Sequence, residues 1–299
     1  VTIGGSAANK NTITAQPTTS GGGAAIQLVF REATGDGEFL SPVPVVATHN
    51  DFGVYTPSEI AARIFDRADT SNFGWPASID TVLFAPFYTD KIRASVKVFL
   101  QGPYVAAGDS MVNTLRTSGT LATHFGVTPI PALAVDSVNI ELRNAATTAG
   151  STTRKFAPAW LLTNGTIRNF SDTTKSYVEF DTTLSGQYYF VVRHRNHLGV
   201  MCSTAQESDG STSPTVYDFS TDSTKAYGIS PMVKVGTRFT MYAGDVNGNG
   251  TLKYSGAGND RALILVRIGG GDITATVSGY YAEDTNMNGV VKYSGAGND

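Results

Sequence analysis

The segment SVNIELRN, residues 137–144, alternates apolar and polar side chains without a break. Val138, Ile140 and Leu142 fall on one side, Asn139, Glu141 and Arg143 on the other. A period of two places successive side chains on opposite faces of an extended chain, so this segment predicts a strand with one face on a core and one toward solvent. Similar strand signals recur on both sides of it: VKVFLQG (96–102), AWLLTNGTI (159–167), SYVEFDT (176–182), GQYYFVVRHR (186–195) and RFTMYAG (238–244). Turn chemistry such as TNGT (163–166) and LSGQ (184–187) separates some of them. Six or more strands with this punctuation predict a mainly β protein whose central domain, 94–243, is a β-sandwich of Ig-like or jelly-roll-like type.

Outward from this domain the chain changes character. Residues 1–23, VTIGGSAANKNTITAQPTTSGGG, lack sustained periodicity and are expected to form an extended arm. Ordering such an arm costs about 1–2 kcal/mol of backbone entropy per residue, so it should pack on its own domain or on a neighbouring molecule. Between 24 and 93 lies a β-rich region, with AAIQLVF (24–30) and SIDTVLFAPFY (78–88) as strands. PSEIAARIFDRA (57–68) sets Ile60, Ile64 and Phe65 at helical spacing, with Ser58 as N-cap and Glu59 in the first turn, and predicts one short helix. Residues 244–299 form a tandem repeat.

Composition narrows the function classes. The net charge is -3 with 16% charged residues and no run of Lys or Arg, so the electrostatic footprint for nucleic acid is missing. Apolar runs such as TVLFAPFY and ALILV fall far short of the roughly 20 residues that span a bilayer. Cys202 is the only cysteine, which leaves no internal disulfide. The chain opens at Val1 without a basic-then-apolar leader, so any export signal is expected to have been removed or never present. Abundant Ser, Thr and Gly beside scarce Lys and Glu fit an extracellular β-rich protein.

The repeat carries the clearest chemical signal. DVNGNGTLKYSGAGND (245–260) returns 39 residues later as DTNMNGVVKYSGAGND (284–299); aligned from Gly244 and Glu283, the two 17-residue copies share 12 identities. Oxygen-bearing side chains stand at positions 1, 3 and 5, followed by Gly at 6: Asp245, Asn247, Asn249 and Gly250, matched by Asp284, Asn286, Asn288 and Gly289. An EF-hand-type loop uses this spacing to wrap Ca²⁺, with the main-chain carbonyl of position 7, here Thr251 or Val290, as a further ligand. Position 12, where a bidentate acid closes such a shell, is Gly256 or Gly295. The next acids are Asp260 and Asp299, and for either to close the site SGAGN must bulge outward. Asn in place of Asp at positions 3 and 5 removes charge and points to a weak structural site rather than a sensor. Asx-turns without any metal are the alternative.

The loop pair resembles the DxNxDG calcium loops of dockerin-type repeats, without their closing acid and helix, since ALILVRI (262–268) after the first copy reads as a strand. Together, GDVNGNGTLKYSGAGNDR (244–261) and YYFVVRHRNHLGVM (188–201) resemble segments of large secreted, haemagglutinin-like or adhesin-like surface proteins of Bacteroidota and related bacteria. The similarity spans 96–299, and it implies an exported, calcium-stabilised β-protein at or beyond the cell surface. The same resemblance would associate Asp-Ser/Thr-apolar triplets with O-glycosylation at Thr81, Ser110 and Ser137.

Catalytic signals are weak by comparison. Read as a continuing strand, RHRNH (193–197) points His194 and His197 to opposite faces, which denies it a metal pair and suggests a structural, charged face. Cys202 has no CxxC or HExxH context, and neither a GxSxG elbow nor a P-loop is present. Paired carboxylates of a glycosidase are not singled out by spacing. Trp75, Trp160, Tyr188, Tyr189, Tyr280 and Tyr281 stand either in the core or on a sugar-binding platform. The expectation is therefore a non-enzymatic extracellular protein that assembles with copies of itself into a filament, sheath or surface layer, with Ca²⁺ bound and no nucleic-acid or membrane partner. A carbohydrate-binding or adhesive module with glycan partners is the rival.

Overall fold

A computed structural model of the protein describes residues 91–126, 130–181, 186–208 and 213–299, together with four two-residue strands that precede them. Two compact units divide the chain. One comprises Val1–Ile92, Asp181–Gly186 and Glu207–Ser213, the other Arg93–Phe180, Gln187–Gln206 and Pro214–Asp299. In the first unit β1 (Ile26–Gln27) pairs in parallel with β3 (Ile64–Phe65), and β2 (Val45–Val46) with β4 (Val82–Leu83). Ile64 and Phe65 therefore sit on a strand and not on the helix that their spacing suggested. Pairing with a strand distant in the sequence outweighs a weak local periodicity. The rest of that predicted helix, the 1–23 arm, Trp75 and Thr81 lie outside the described residues.

The second unit is mainly β. Its principal sheet is antiparallel and runs in the order β11 (Ile167–Asn169), β10 (Arg154–Leu162), β9 (Ala134–Arg143), β13 (Gly186–Arg193), β14 (Val200–Met201). The register sets Trp160 opposite Ser137, and Leu142 between Lys155 on one side and Phe190 on the other. Six further strands supply smaller ladders. β5 (Lys91–Lys97) lies between β12 (Val178–Asp181) and β16 (Val216–Asp218), while β6 (Phe99–Leu100) runs parallel to β18 (Arg238–Met241), which also pairs with β17 (Val233–Val235). A short hairpin joins β7 (Tyr104–Val105) to β8 (Ser110–Met111), and β15 (Gln206–Ser208) follows β14 in the chain. Val96, Val98, Leu100, Ile140, Leu142 and Phe180 are all buried in the core.

Two short helices, α1 (Thr114–Thr117) and α2 (Thr120–Phe125), add Leu115 and Leu121 to the core. Phe125 meets Trp160 edge-on at 5.1 Å and Tyr280 at 5.5 Å, and Phe170 stacks on Trp160 at 4.6 Å while also touching Phe125 edge-on at 5.6 Å. Trp160 is completely buried in this aromatic run. The polar side of β9 departs from expectation as well. Glu141 and Arg143 are buried, because neighbouring strands bring arginines over that face.

Beyond Gly244 the chain builds a small core of its own from both repeats. Val246 of the first copy and Val291 of the second pack with Ile264 and Ile268. Residues 262–268, predicted as a strand, belong to a helix, α3 (Asp260–Arg267), and its C-terminal boundary. Asn259 caps α3, its side-chain oxygen accepting from Ala262 N–H at 2.8 Å. β19 (Thr276–Ser278) then pairs with β20 (Val290–Lys292), which carries the second loop. Among the described residues no helix is long and apolar enough to cross a membrane.

Candidate functional site

Each repeat folds into a closed loop held by the same hydrogen bonds. In the first, Asp245 accepts from Gly250 N–H at 3.1 Å, Asn247 Oδ1 from Asn249 N–H at 3.0 Å, and Asn249 Oδ1 from Thr251 N–H at 2.8 Å. In the second, Asp284 accepts from Gly289 N–H at 2.9 Å, Asn286 Oδ1 from Asn288 N–H at 3.0 Å, and Asn288 Oδ1 from Val290 N–H at 2.8 Å. Gly250 and Gly289 turn the chain at φ +80° and +86°, a region that L side chains avoid.

The distal acids return to the same loops. Asp260 accepts from Asn247 N–H at 3.3 Å and Lys253 N–H at 2.9 Å; Asp299 accepts from Asn286 N–H at 3.2 Å and Lys292 N–H at 2.9 Å. Asp260 N–H and Asp299 N–H in turn bond the carbonyls of Lys253 and Lys292, each at 2.9 Å. Residues 254–258 are exposed in the resulting bulge. All ten residues singled out by spacing thus fall on two superposable hydrogen-bond patterns, with Thr251 and Val290 at position 7.

Asp245, Asp260 and Asp284 are buried, Asp284 completely. Burial, together with the charge of Asp299, pushes the Asp284 carboxyl up to about 6. Burial and the charge of Asp260 likewise raise Asp245, and burial raises Asp299. The lysines of KYSGAGND do not answer these charges: Lys253 Nζ donates to Ala257 O at 2.6 Å and Lys292 Nζ to Ala296 O at 2.8 Å. Arg195 offsets part of the charge at Asp284. Two carboxylates, two amide oxygens and a carbonyl at position 7 fit the all-oxygen preference of Ca²⁺. Among the described residues no group of three His, Cys, Asp or Glu is arranged to hold a metal ion, so any cation here is held by this mixed set.

RHRNH does not continue the strand. β13 ends at Arg193, and the following turn brings the His194 and His197 rings to 4.9 Å, with their Nδ1 atoms 3.0 Å apart. Side chains alternate between faces only while the chain stays extended, and beyond Arg193 it turns. The hydrogen bonds assign the tautomers. Gly102 N–H donates to His197 Nε2 at 3.2 Å, so the His197 proton sits on Nδ1, toward His194 Nδ1 and Asn196 Oδ1. His194 then donates from Nε2 to Asp136 at 3.1 Å, and Asp136 also receives Arg195 Nε at 2.9 Å and Tyr280 OH at 2.6 Å. Burial depresses both histidines, His197 well below the usual range, and the surrounding donors hold Asp136 down to about 2. With the side chains of His194 and Asp136 fully buried, this set holds the structure together.

Asn196 joins the two repeats to each other. Its main-chain oxygen accepts from Gly244 N–H at 2.9 Å and Asp245 N–H at 3.1 Å, while its side-chain amide donates to Ala282 O at 3.0 Å and Asp284 O at 2.7 Å. Gly102 closes the other side of the second loop, where an added Cβ would stand 1.9 Å from Thr285 O. Neither role was visible in the sequence.

Cys202 is buried, its Sγ accepting from Phe190 N–H at 3.1 Å, and burial pushes its thiol up to about 11. Ser110 and Ser137 are half-buried on β8 and β9, and the acids before them are engaged, Asp109 by Arg238 and Tyr104, Asp136 as above. Trp160 is in the core and cannot serve as a sugar platform, and Tyr188 is buried too. Comparison with protein families, curated proteins and solved structures returned no match.

Proposed function

We propose that the chain is an extracellular, non-enzymatic structural protein whose repeat region is stiffened by Ca²⁺, and that copies of it assemble into a filament, sheath or surface layer. One observation carries the reading: in each loop two carboxylates share a low-dielectric site without a lysine to pair them. Asx-turns alone account for the asparagines. They give no reason to bury a second acid, since bringing like charges out of water is costly unless something neutralises them. A divalent cation between Asp245 and Asp260, with Asn247, Asn249 and Thr251 O, would do so, and Asp284, Asn286, Asn288, Val290 O and Asp299 form the matching set. The proposed metal would then be structural, its gain transmitted through Asn196 to the rest of the unit. The resemblance to secreted surface proteins supports the location, and a β-sandwich is the architecture we infer for the described sheets.

Calorimetry of the full chain with and without Ca²⁺ tests the metal. A site saturated at 100 times its Kd stabilises by about 2.7 kcal/mol, so melting should rise with Ca²⁺, and Asp284→Asn should remove part of the rise. Unchanged melting together with no bound metal by elemental analysis would sink the proposal. Electron microscopy tests assembly: ordered fibres or sheets are expected, whereas dispersed single particles at all concentrations count against it.

A further inference from the structure

Glu141 is fully buried and takes three arginines: Oε1 accepts from Arg143 Nε and Arg154 Nε, each at 2.7 Å, and Oε2 from Arg193 Nε at 2.7 Å and Arg143 Nη2 at 3.1 Å. Four donors fill the lone-pair sites of one carboxylate, yet three positive charges face one negative, leaving a local surplus of two. Two of the arginines, Arg143 and Arg193, line a cleft of about 540 Å³, within the range of about 300–1,000 Å³ typical of small-molecule sites. No acid is among the described residues that line it.

Arg143 and Arg193 bring to this cleft donors that Glu141 leaves over. Arg193 reaches Glu141 through Nε only, and its Nη1 lies 3.8 Å from where a Cβ on Gly199, another lining residue, would stand. Arg143 Nη1 has just the weak acceptor Met201 Sδ at 4.0 Å. The rest of the lining is of another kind: Tyr227, 53% exposed, supplies an aromatic ring, and Thr147, Thr148 and Ser230 supply hydroxyls. A flat ring, several hydroxyls and a paired guanidinium edge suit a sugar that carries a carboxylate, because guanidinium binds carboxylate in a bidentate fork and the aromatic face takes the pyranose ring.

We propose that this cleft binds the uronate unit of an acidic saccharide, with Arg193 as the principal carboxylate contact. One lining residue, Gly250, belongs to the first loop; the proposed contacts are made by the arginines, so the inference survives if the loops bind no metal. Titration of the full chain with a glucuronate disaccharide and with its methyl ester, by calorimetry or NMR, tests it. Saturable binding is expected, at least about tenfold weaker for the ester and weakened by added salt. Arg193→Gln should lower the affinity at least about tenfold while Arg143 and Arg154 still hold Glu141. Gly199→Leu, which fills the cleft and keeps every arginine, should abolish binding; each variant is compared at wild-type circular dichroism. Absence of saturable binding by the disaccharide would overturn the proposal, as would equal binding of acid and ester or wild-type affinity in both variants.

Discussion

At Glu141 the alternation of β9 holds and the environment inferred from it does not. The residue lies on the polar side of its strand, but that side is covered by Arg143, Arg154 and Arg193, and the carboxyl is held down to about 2 despite its burial, by those three hydrogen-bonded guanidiniums. Substituting Glu141→Gln would leave three cations without that counter-charge, but only Arg143 is buried while water screens Arg154 and Arg193, so the loss should fall at or below the lower end of the about 3–5 kcal/mol for breaking a buried pair. Urea denaturation should show that loss; a midpoint within error of wild type would mean that solvent screens all three arginines. Gly102 carries a different constraint. Gly102→Ala would press a methyl group to 1.9 Å of Thr285 O, and overpacking against main chain should cost about 2 kcal/mol or more. Neither constraint is legible locally, since Arg193 is 52 residues from Glu141 and Thr285 is farther still from Gly102.

Among the elements, α3 marks where period alone is insufficient. ALILV is a continuous apolar run, and such a run fits a buried strand or a helix equally well. The choice is made at its edges: Asn259 caps the first turn, Asp260 stands in that turn near the positive end of the helix dipole, and Ile264 and Ile268 lie one turn apart on the repeat core. Asn259→Ala should therefore cost about 1 kcal/mol, read as a lower melting temperature of the whole second unit. A loss confined to fraying of α3, seen as faster amide exchange there without a change in melting, would show that the helix is not coupled to the rest. The end of β13 gives a companion lesson. Extending strand geometry past Arg193 separated His194 from His197, and the turn that follows brings them together.

For the molecule as a whole, acid should be the sensitive direction. His197 is kept neutral by burial and by its neighbours His194 and Arg195. The unfolded chain takes up that proton below about pH 6.5 while the folded one does not, so this contribution to stability is present above that pH and is lost as the pH falls below it. His194 acts in the same sense. Glu141 adds a second loss, from the ordinary glutamate range of about 4.3 down to its folded value of about 2. With Ca²⁺ saturating, so that the loop acids do not oppose the trend, melting should begin to fall below about pH 6.5. A flat profile between about pH 7 and 5 would contradict the neutral-histidine network.

What the residues determined by themselves was the local chemistry: strands wherever β-branched and aromatic side chains recur with period two, and two loops whose oxygen spacing is written into the chain twice. Period and turn chemistry act over a few residues, so they can be read without the fold. Tertiary structure alone decided which of these pieces meet. It returned Asp260 and Asp299 to their loops, set Asn196 between the repeats, gathered three arginines on Glu141 and buried Trp160. Such pairings depend on burial and on contacts across scores of residues, where desolvation makes each carboxylate or imidazole answer to neighbours that the linear sequence does not place beside it.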